Sequence, residues 1–373
     1  LISRLIELAL NLFTINRWNT SPHVERITDA DNAGFSLHVA LLLAHICNES
    51  TGVANQVDNE KLIKRIVLKD LPKAILSDIS LNTKEYIKTT SLELWQKTFS
   101  SALEEVLVDV PEKWRSDFRD KIENAKDEST EGVIISFSDA YSAWLECEFN
   151  SRVFPEYYAR PLRESTEKLE RFRGYPFIND LLSSDNLKNY LLQVRTLINS
   201  VRWNQVNRNI RTTVAGHTFF VTFIATLFSY IADSEWNGSG SYEQMLLKSA
   251  FHDIPEALTG DIISPTKRRI PGFEDIVTEV EEQMVDEYLI SLLPGDSSRM
   301  KAFMLQPFTG DKGNLVRAAD LFGSLFECQM EIISGNRNLL FKRAYNDIMR
   351  EIKQMDIPEA DYLLKWGFDQ QYA

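Results

Sequence analysis

Four side chains in the second half of the chain could together hold a divalent cation: His217, the adjacent pair His252-Asp253, and Asp320. Two imidazole nitrogens and two carboxylates form a mixed donor set. It suits a first-row ion such as Mn, Fe, Co, Ni or Zn, with Mg as a harder alternative. Four protein donors leave positions open for water and a substrate oxygen. An ion held this way acidifies its water and polarises a phosphoryl oxygen. The chemistry expected is therefore hydrolysis of a phosphate ester. No further histidine occurs in the second half, which points to one ion rather than two.

These residues lie in one half of an internal repeat. Arg17-Trp18-Asn19 recurs as Arg202-Trp203-Asn204, 185 residues later. Asp70-Leu71-Pro72 recurs as Asp253-Ile254-Pro255 at an offset of 183, with Ala74 opposite Ala257 and Asp78-Ile79 opposite Asp261-Ile262. Ser138-Asp139 and Leu145-Glu146-Cys147 stand opposite Ala319-Asp320 and Phe326-Glu327-Cys328 at an offset of 181. A register that drifts by two residues between segments fits small loop deletions in a tandem duplication. In the first copy, Asn32 replaces His217 and Lys69 replaces His252, while Asp70 and Asp139 remain. An ammonium cannot ligate a cation and repels one. The first copy, over 1–184, is thus expected to have lost its metal. The second, over 185–373, is expected to have kept it.

Composition sets the frame. The chain has 373 residues, 44% hydrophobic and 25% charged, enough for two cores. Its net charge is −13 with no long Lys/Arg run. That argues against an extended nucleic-acid surface, although a small anion needs only a local basic pocket. Cys47, Cys147 and Cys328 show no metal spacing and read as buried thiols, as a reducing cytoplasm would allow. The longest apolar stretch, over 219–232, is too short to span a bilayer, so no membrane partner is expected. The first residue is Leu1, so an initiator Met, and with it any short leader, is expected upstream.

The elements that must position these residues read as helices throughout. Leu187, Leu191, Val194 and Ile198 share one helical face. An apolar helix opens near His217 and runs to 231, another covers 242–252, and a third covers 315–334 around Asp320. A charged amphipathic helix over 273–292 places Val277, Val280, Met284 and Tyr288 on one face. A last helix is expected over 341–355. Loops fall at 237–241 and 263–267, where Gly, Ser and Pro break the pattern. The stretch 155–185 carries Tyr157, Tyr158, Phe172, Tyr175 and Phe177, so it reads as a packed connection rather than a disordered linker.

The order His, His-Asp, Asp is that of HD-type metal phosphohydrolases. The second copy resembles the bacterial HD-domain 5′-deoxynucleotidases over most of 186–355. The resemblance is carried by Arg202-Trp203, Arg208-Asn209-Ile210-Arg211-Thr212, His217-Thr218, and His252-Asp253-Ile254-Pro255-Glu256-Ala257-Leu258-Thr259-Gly260-Asp261. Pro265-Thr266-Lys267, Ala319-Asp320-Leu321 and Ser334-Gly335-Asn336 complete it. It implies an all-α fold, one divalent metal on His217, His252, Asp253 and Asp320, and pairing of two copies. Here that pairing would be an intrachain pseudo-dimer of two tandem helical bundles, either monomeric or weakly self-associating.

The resemblance also implies roles. Arg202 would bind the substrate phosphate and Trp203 would pack on the sugar, although both recur in the first copy and a structural turn accounts for them equally. Glu256 would be the acid/base. It lies one helical turn from His252 and is replaced by Lys73 in the first copy. Asp261 would accept from the sugar 3′-hydroxyl or brace its loop, and Lys267 would help hold the phosphate. The expected substrate is a nucleoside 5′-monophosphate. The alternatives are another phosphate ester, a nucleoside triphosphate, or a non-catalytic nucleotide sensor. Gly216 stands where the family has Glu, and Ile263-Ser264-Pro265 where it has Pro-Thr-Pro. Both departures are expected beside the pocket, with a bearing on substrate choice. In the first copy, His38 and His45 share an apolar helix and read as core or interface residues, with a cryptic metal site as the alternative. His23, opposite Arg208, reads as loop surface.

Overall fold

Apolar residues recur at helical spacing through the chain, and the computed structural model forms helices at them. It describes the chain apart from residues 1–2, 51–55, 78, 80, 237–239, 261, 263–268 and 369–373. The first copy contributes α1 (Arg4–Asn11), α2 (Asp29–Ser50), α3 (Asn59–Leu68), α4 (Lys73–Leu76), α5 (Leu81–Thr90), α6 (Leu92–Val108), α7 (Glu112–Glu123), α8 (Thr130–Ser151), α9 (Pro155–Glu170) and α10 (Pro176–Ser183). The second contributes α11 (Asp185–Arg195), α12 (Val214–Trp236), α13 (Glu243–Phe251), α14 (Glu256–Thr259), α15 (Phe273–Tyr288), α16 (Ser298–Leu305), α17 (Gly313–Ile333), α18 (Leu339–Gln354) and α19 (Pro358–Gly367). Among the described residues the only β pairing is two isolated antiparallel bridges, Asn16 with Thr28 and Val201 with Thr213. The two bridges are related by the repeat.

The duplication is visible in the backbone. The loop before α2 is closed by Arg17 N–H to the Ile27 carbonyl at 2.9 Å, and the loop before α12 by Arg202 N–H to Thr212 at 3.0 Å. Trp18 and Trp203 both take left-handed backbone, with φ of 55° and 57°. That conformation disfavours a bulky residue, so its recurrence marks a constraint shared by the two loops.

α2 and α12 cross at the centre. A Cβ on Gly34 would lie 2.0 Å from the Ala215 carbonyl oxygen, so only glycine permits this approach. Phe219, Phe220, Phe223 and Phe228 of α12 are fully buried, at about 1.5–3 kcal/mol each. The threonines of α12 satisfy themselves inside the apolar core: Thr218, Thr222 and Thr226 each donate to the carbonyl four residues back, at 2.8–2.9 Å. Both α2 and α12 have the length and composition of a membrane span, but both are core helices, with 94% and 100% of their most apolar 18-residue windows buried.

One apolar core runs through both copies. Polar contacts cross between them too. Arg195 pairs with Glu25 at 2.6 Å, and Tyr242 N–H donates to Glu60 at 2.9 Å. Thr213, at the start of α12, donates its hydroxyl to the buried Asp31 of α2. The chain is an all-α pseudo-dimer, as expected.

Several expectations are corrected. The buried face of α15 is Val277 and Val285, with Leu289 just beyond. Val280 and Tyr288 are each 42% exposed. Helix periodicity alone identified a stripe, but contact with α14 and α16 selects a different one. α18 is not the last helix, because α19 follows it and places Phe368 against Phe326. Gly216 does not face the pocket. A Cβ there would meet Phe13 and Asp31 of the first copy, so this departure from the family pattern belongs to the contact between copies. The first-copy histidines fall where expected: His38 is buried in the core against Phe251, and burial pushes it down to about 3. His45 contacts the Pro294 carbonyl at 2.9 Å, and His23 contacts Ser21. The loop expected at 263–267 lies outside the described residues, as do most residues of the one at 237–241.

Candidate metal centre

Three helices aim the donor set. Thr213 starts α12, accepting from Gly216 N–H at 3.1 Å, and His217 follows one turn later. His252 caps the C-terminus of α13, and the turn through Pro255 leads directly into α14 with Glu256 at its start. On α17, Asp320, Gly323, Ser324 and Glu327 recur at helical spacing and face α12.

The donor atoms converge. His217 Nε2 lies 3.2 Å from Asp320 Oδ1 and 3.8 Å from Asp253 Oδ2. His252 Nε2 lies 3.1 Å from Asp253 Oδ2 and 4.0 Å from Asp320 Oδ1. Ligand atoms about 2.1 Å from a common ion stand about 3.0–3.4 Å apart, so the spacing fits. The hydrogen bonds on the far side of each ring decide the tautomers. His217 Nδ1 faces Glu327 Oε1 at 2.9 Å, and His252 Nδ1 faces the Ser249 carbonyl at 2.8 Å. Both partners only accept, so each Nδ1 carries the proton and each Nε2 turns a lone pair inward. His252 Nε2 and Asp253 Oδ2 are buried without a hydrogen-bond partner. Inward lone pairs meeting carboxylate oxygens call for a cation.

The charges agree. Burial and Arg202 oppose a second proton on His217, yet Glu327 and Asp320 push it up to about 9. The same carboxylate field favours a cation between the donors. Burial would raise Asp253, Asp320 and Glu327, but the surrounding His and Arg charges hold all three below the usual carboxylate range.

Glu327 was not singled out by sequence reasoning, although it matched Glu146 in the repeat. It is almost fully buried and accepts from His217, from Trp203 Nε1 at 2.6 Å and from Arg202 Nε at 3.2 Å. Gly323 was missed as well. A Cβ there would come within 2.8 Å of the His217 ring, so the imidazole fits only above glycine. The signal for both lay in comparing the copies. Glu is kept at 146 and 327, and Ser142 stands where Gly323 makes room.

The remaining expected residues are placed as follows. Arg202 sits 13% exposed between Glu327, Ser324 and Asp253, with NH1 3.6 Å from Asp253. Trp203 rests its ring on Phe341. Glu256 is near enough to Arg202 for its charge to favour the guanidinium cation, together with Glu327, Asp253 and Asp320. Asp261 and Lys267 lie outside the described residues.

The first copy reproduces the frame without the donors. Arg17 and Trp18 grip Glu146 at 3.1 and 2.6 Å. Asn32 accepts from Ser142 at 2.7 Å where the second copy has His217 above Gly323. Lys69 enters the donor position and pairs with Asp70 at 2.5 Å and Asp139 at 3.1 Å.

Comparison with known proteins places the chain. The family described as 5′-deoxynucleotidase YfbR-like matches it twice, over residues 4–182 and 189–370. A 5′-deoxynucleotidase of Yersinia pestis (strain Pestoides F) is 29% identical over 166 residues, covering 44% of this chain and 82% of that protein. One from Yersinia pseudotuberculosis serotype O:3 (strain YPIII) gives the same values. A solved HD-domain phosphohydrolase from Listeria innocua is 22% identical, with a TM-score of 0.44, over 48% of this chain and 86% of that one.

Proposed function

Because the chain belongs to the YfbR-like 5′-deoxynucleotidase family, we propose that its second copy is a metal-dependent phosphohydrolase acting on nucleoside 5′-monophosphates, with deoxyribose preferred. The copies divide near Ser184, whose side chain caps α11, giving 1–184 and 185–373. The observation that carries the reading is the convergence of the His217 and His252 Nε2 atoms on Asp253 and Asp320, with both tautomers fixed from behind.

His217, His252, Asp253 and Asp320 are the ligands in this reading. A divalent ion bound there supplies Lewis acidity to a phosphoryl oxygen and an acidified water as nucleophile. Glu327 holds His217 in its tautomer and makes it a better donor. Arg202 is held between Glu327 and Asp253, which keeps its guanidinium charged and turned toward the site. There it neutralises the phosphate. Glu256, next to the His-Asp pair, would take a proton from the attacking water and pass it to the departing sugar oxygen. Trp203 combines two roles: its N–H fixes Glu327, and its ring borders the sugar. Asp261 and Lys267 keep the roles the resemblance gives them, at the 3′-hydroxyl and the phosphate.

The test is phosphate release from ribo- and deoxyribonucleoside 5′-monophosphates and from triphosphates. Metal-stripped protein is resupplied with Mn, Co, Ni, Zn or Mg, beside His252→Ala. Metal-dependent release from monophosphates, absent in the variant, is expected. No release with any metal would sink the reading, and release from triphosphates alone would move it to another branch of HD chemistry.

A further inference from the structure

The pocket that lost its metal did not become apolar. Lys69, at the end of α3, and Lys73 of α4 gather at the aspartates there, with Lys69 2.5 Å from Asp70 and Lys73 3.1 Å from Asp70 and 3.3 Å from Asp29. Lys126, in the turn after α7, reaches Asp139 at 2.6 Å. Lys84 of α5 lies over the Trp95 ring at 5.0 Å and has no carboxylate within ion-pair distance among the described residues. Lys84 also stands 183 residues before Lys267, in the register that relates Asp70 to Asp253. Thr83-Lys84 is therefore retained as the counterpart of Thr266-Lys267 although both histidines are gone.

Charge separates the two pockets. Among the described residues around the second, Asp253, Glu256, Asp320 and Glu327 face two guanidiniums, Arg202 and Arg317, and the two imidazoles, which count as uncharged once they donate to an ion. That leaves two negative charges, which one divalent ion cancels. Around the first, Asp29, Asp70, Asp139 and Glu146 face Arg17, Lys69, Lys73 and Lys126. This set is already neutral, and Lys84 adds a cation at its edge. Burial pushes Lys84 down to about 8, and Lys88, Lys126 and Lys73 push in the same direction, so positive charge there is left uncompensated. The first pocket presents to a dianion, without metal, at least the charge that the second presents only with its ion bound.

We propose that the pocket of the first copy is a metal-independent binding site for a phosphate monoester dianion, gripped by Lys84 and Lys126 with Lys69 and Lys73 behind them. It binds without hydrolysing, because the ligand imidazoles are replaced by Asn32 and Lys69 and the acid Glu256 by Lys73. Lysine ammoniums suit a phosphate as point charges that a flexible stem can bring to its oxygens. The inference does not depend on which ester the second copy cleaves.

The test is equilibrium titration of the full chain, kept in a chelator, with inorganic phosphate and separately with deoxyadenosine 5′-monophosphate. One anion per chain is expected to bind, retained in His252→Ala and weakened by raised salt. Lys84→Glu combined with Lys126→Glu is expected to weaken it at least tenfold, with Lys84→Gln intermediate. Retained metal-dependent hydrolysis in these variants shows that they fold. Tighter binding of the nucleotide means that the site reads the nucleoside as well, whereas equal binding means that it reads phosphate alone; either supports the site. The proposal is overturned if no anion binds in chelator. It is equally overturned if binding survives the double substitution and disappears in Arg202→Ala, which would place it in the second pocket.

Discussion

The two copies solve one electrostatic problem in different ways. Each has two aspartates facing each other across a buried hollow, Asp70 and Asp139 in the first and Asp253 and Asp320 in the second. Each needs positive charge between them. The first supplies it covalently, with the Lys69 ammonium at 2.5 and 3.1 Å. The second withholds it, presenting two imidazole lone pairs instead. Around this difference the frame is unchanged: an Arg-Trp pair grips a buried Glu in both copies. The Arg-Trp-Glu frame and the paired aspartates are kept in both copies, and what the second copy adds to them is the two imidazoles and Glu256. Glu327 belongs to the scaffold by descent and to the metal centre by contact, through His217.

The comparison can be broken at several points. The largest effect is expected from His217→Ala or Asp320→Ala, which should lower metal-dependent kcat/KM by at least about a thousandfold. Asp139→Ala in the first copy should leave kcat/KM within about threefold. Equal losses would mean that both pockets take part in turnover. Next, Lys69→Ala removes the ammonium from between two carboxylates and should cost about 3–5 kcal/mol of stability, read by urea unfolding. Its effect on kcat should be small. Glu327→Gln should weaken metal binding by about 10–100-fold, whereas Glu146→Gln should alter only stability.

The comparison can also be sharpened by pH. Without metal, His217 is raised from its ordinary 6.5 to about 9. Its protonated form therefore stabilises the metal-free fold, fully below about 6.5. That contribution, about 3 kcal/mol, is lost as pH rises through 9. Because the ion must displace this proton, metal affinity should rise about tenfold per pH unit up to 9. A calorimetric titration at several pH values measures the slope, and a flat profile would show that His217 carries no proton in the metal-free protein. The smallest effect is expected from Thr213→Val, which removes the hydroxyl shared by the α12 N-terminus and Asp31. It should cost about 1–2 kcal/mol with metal affinity unchanged.

The helices and the duplication were legible because both depend on local pattern: apolar spacing for the first, and the Asp-Leu/Ile-Pro and Arg-Trp-Asn matches for the second. The donor residues were legible by type and order. What could not be read depends on contacts between distant segments. Glu327 was visible as a repeat match, but nothing in the sequence shows that its carboxylate meets His217 from behind. Gly216 resembled a change in the pocket because it precedes a ligand in sequence. Only the packing of α2 on α12 shows that it makes room for Phe13 and Asp31. The face of α15 was partly misread for the same reason: Val277 is buried as its spacing suggested, but neighbouring helices bury Val285 in place of Val280 and Tyr288.

The crossing of α2 on α12 also has a meaning in time. A ribosome completes α2 well before α12 exists, since about 160 residues lie between the end of α2 at Ser50 and the start of α12 at Val214. At about 5–20 residues per second, the first copy waits roughly 10–30 s with the Gly34 face of its central helix uncovered and Asp31 without Thr213. A pair of separate subunits would have to find each other by diffusion. Here the wait ends on a fixed schedule, because the covering helix is on the same nascent chain.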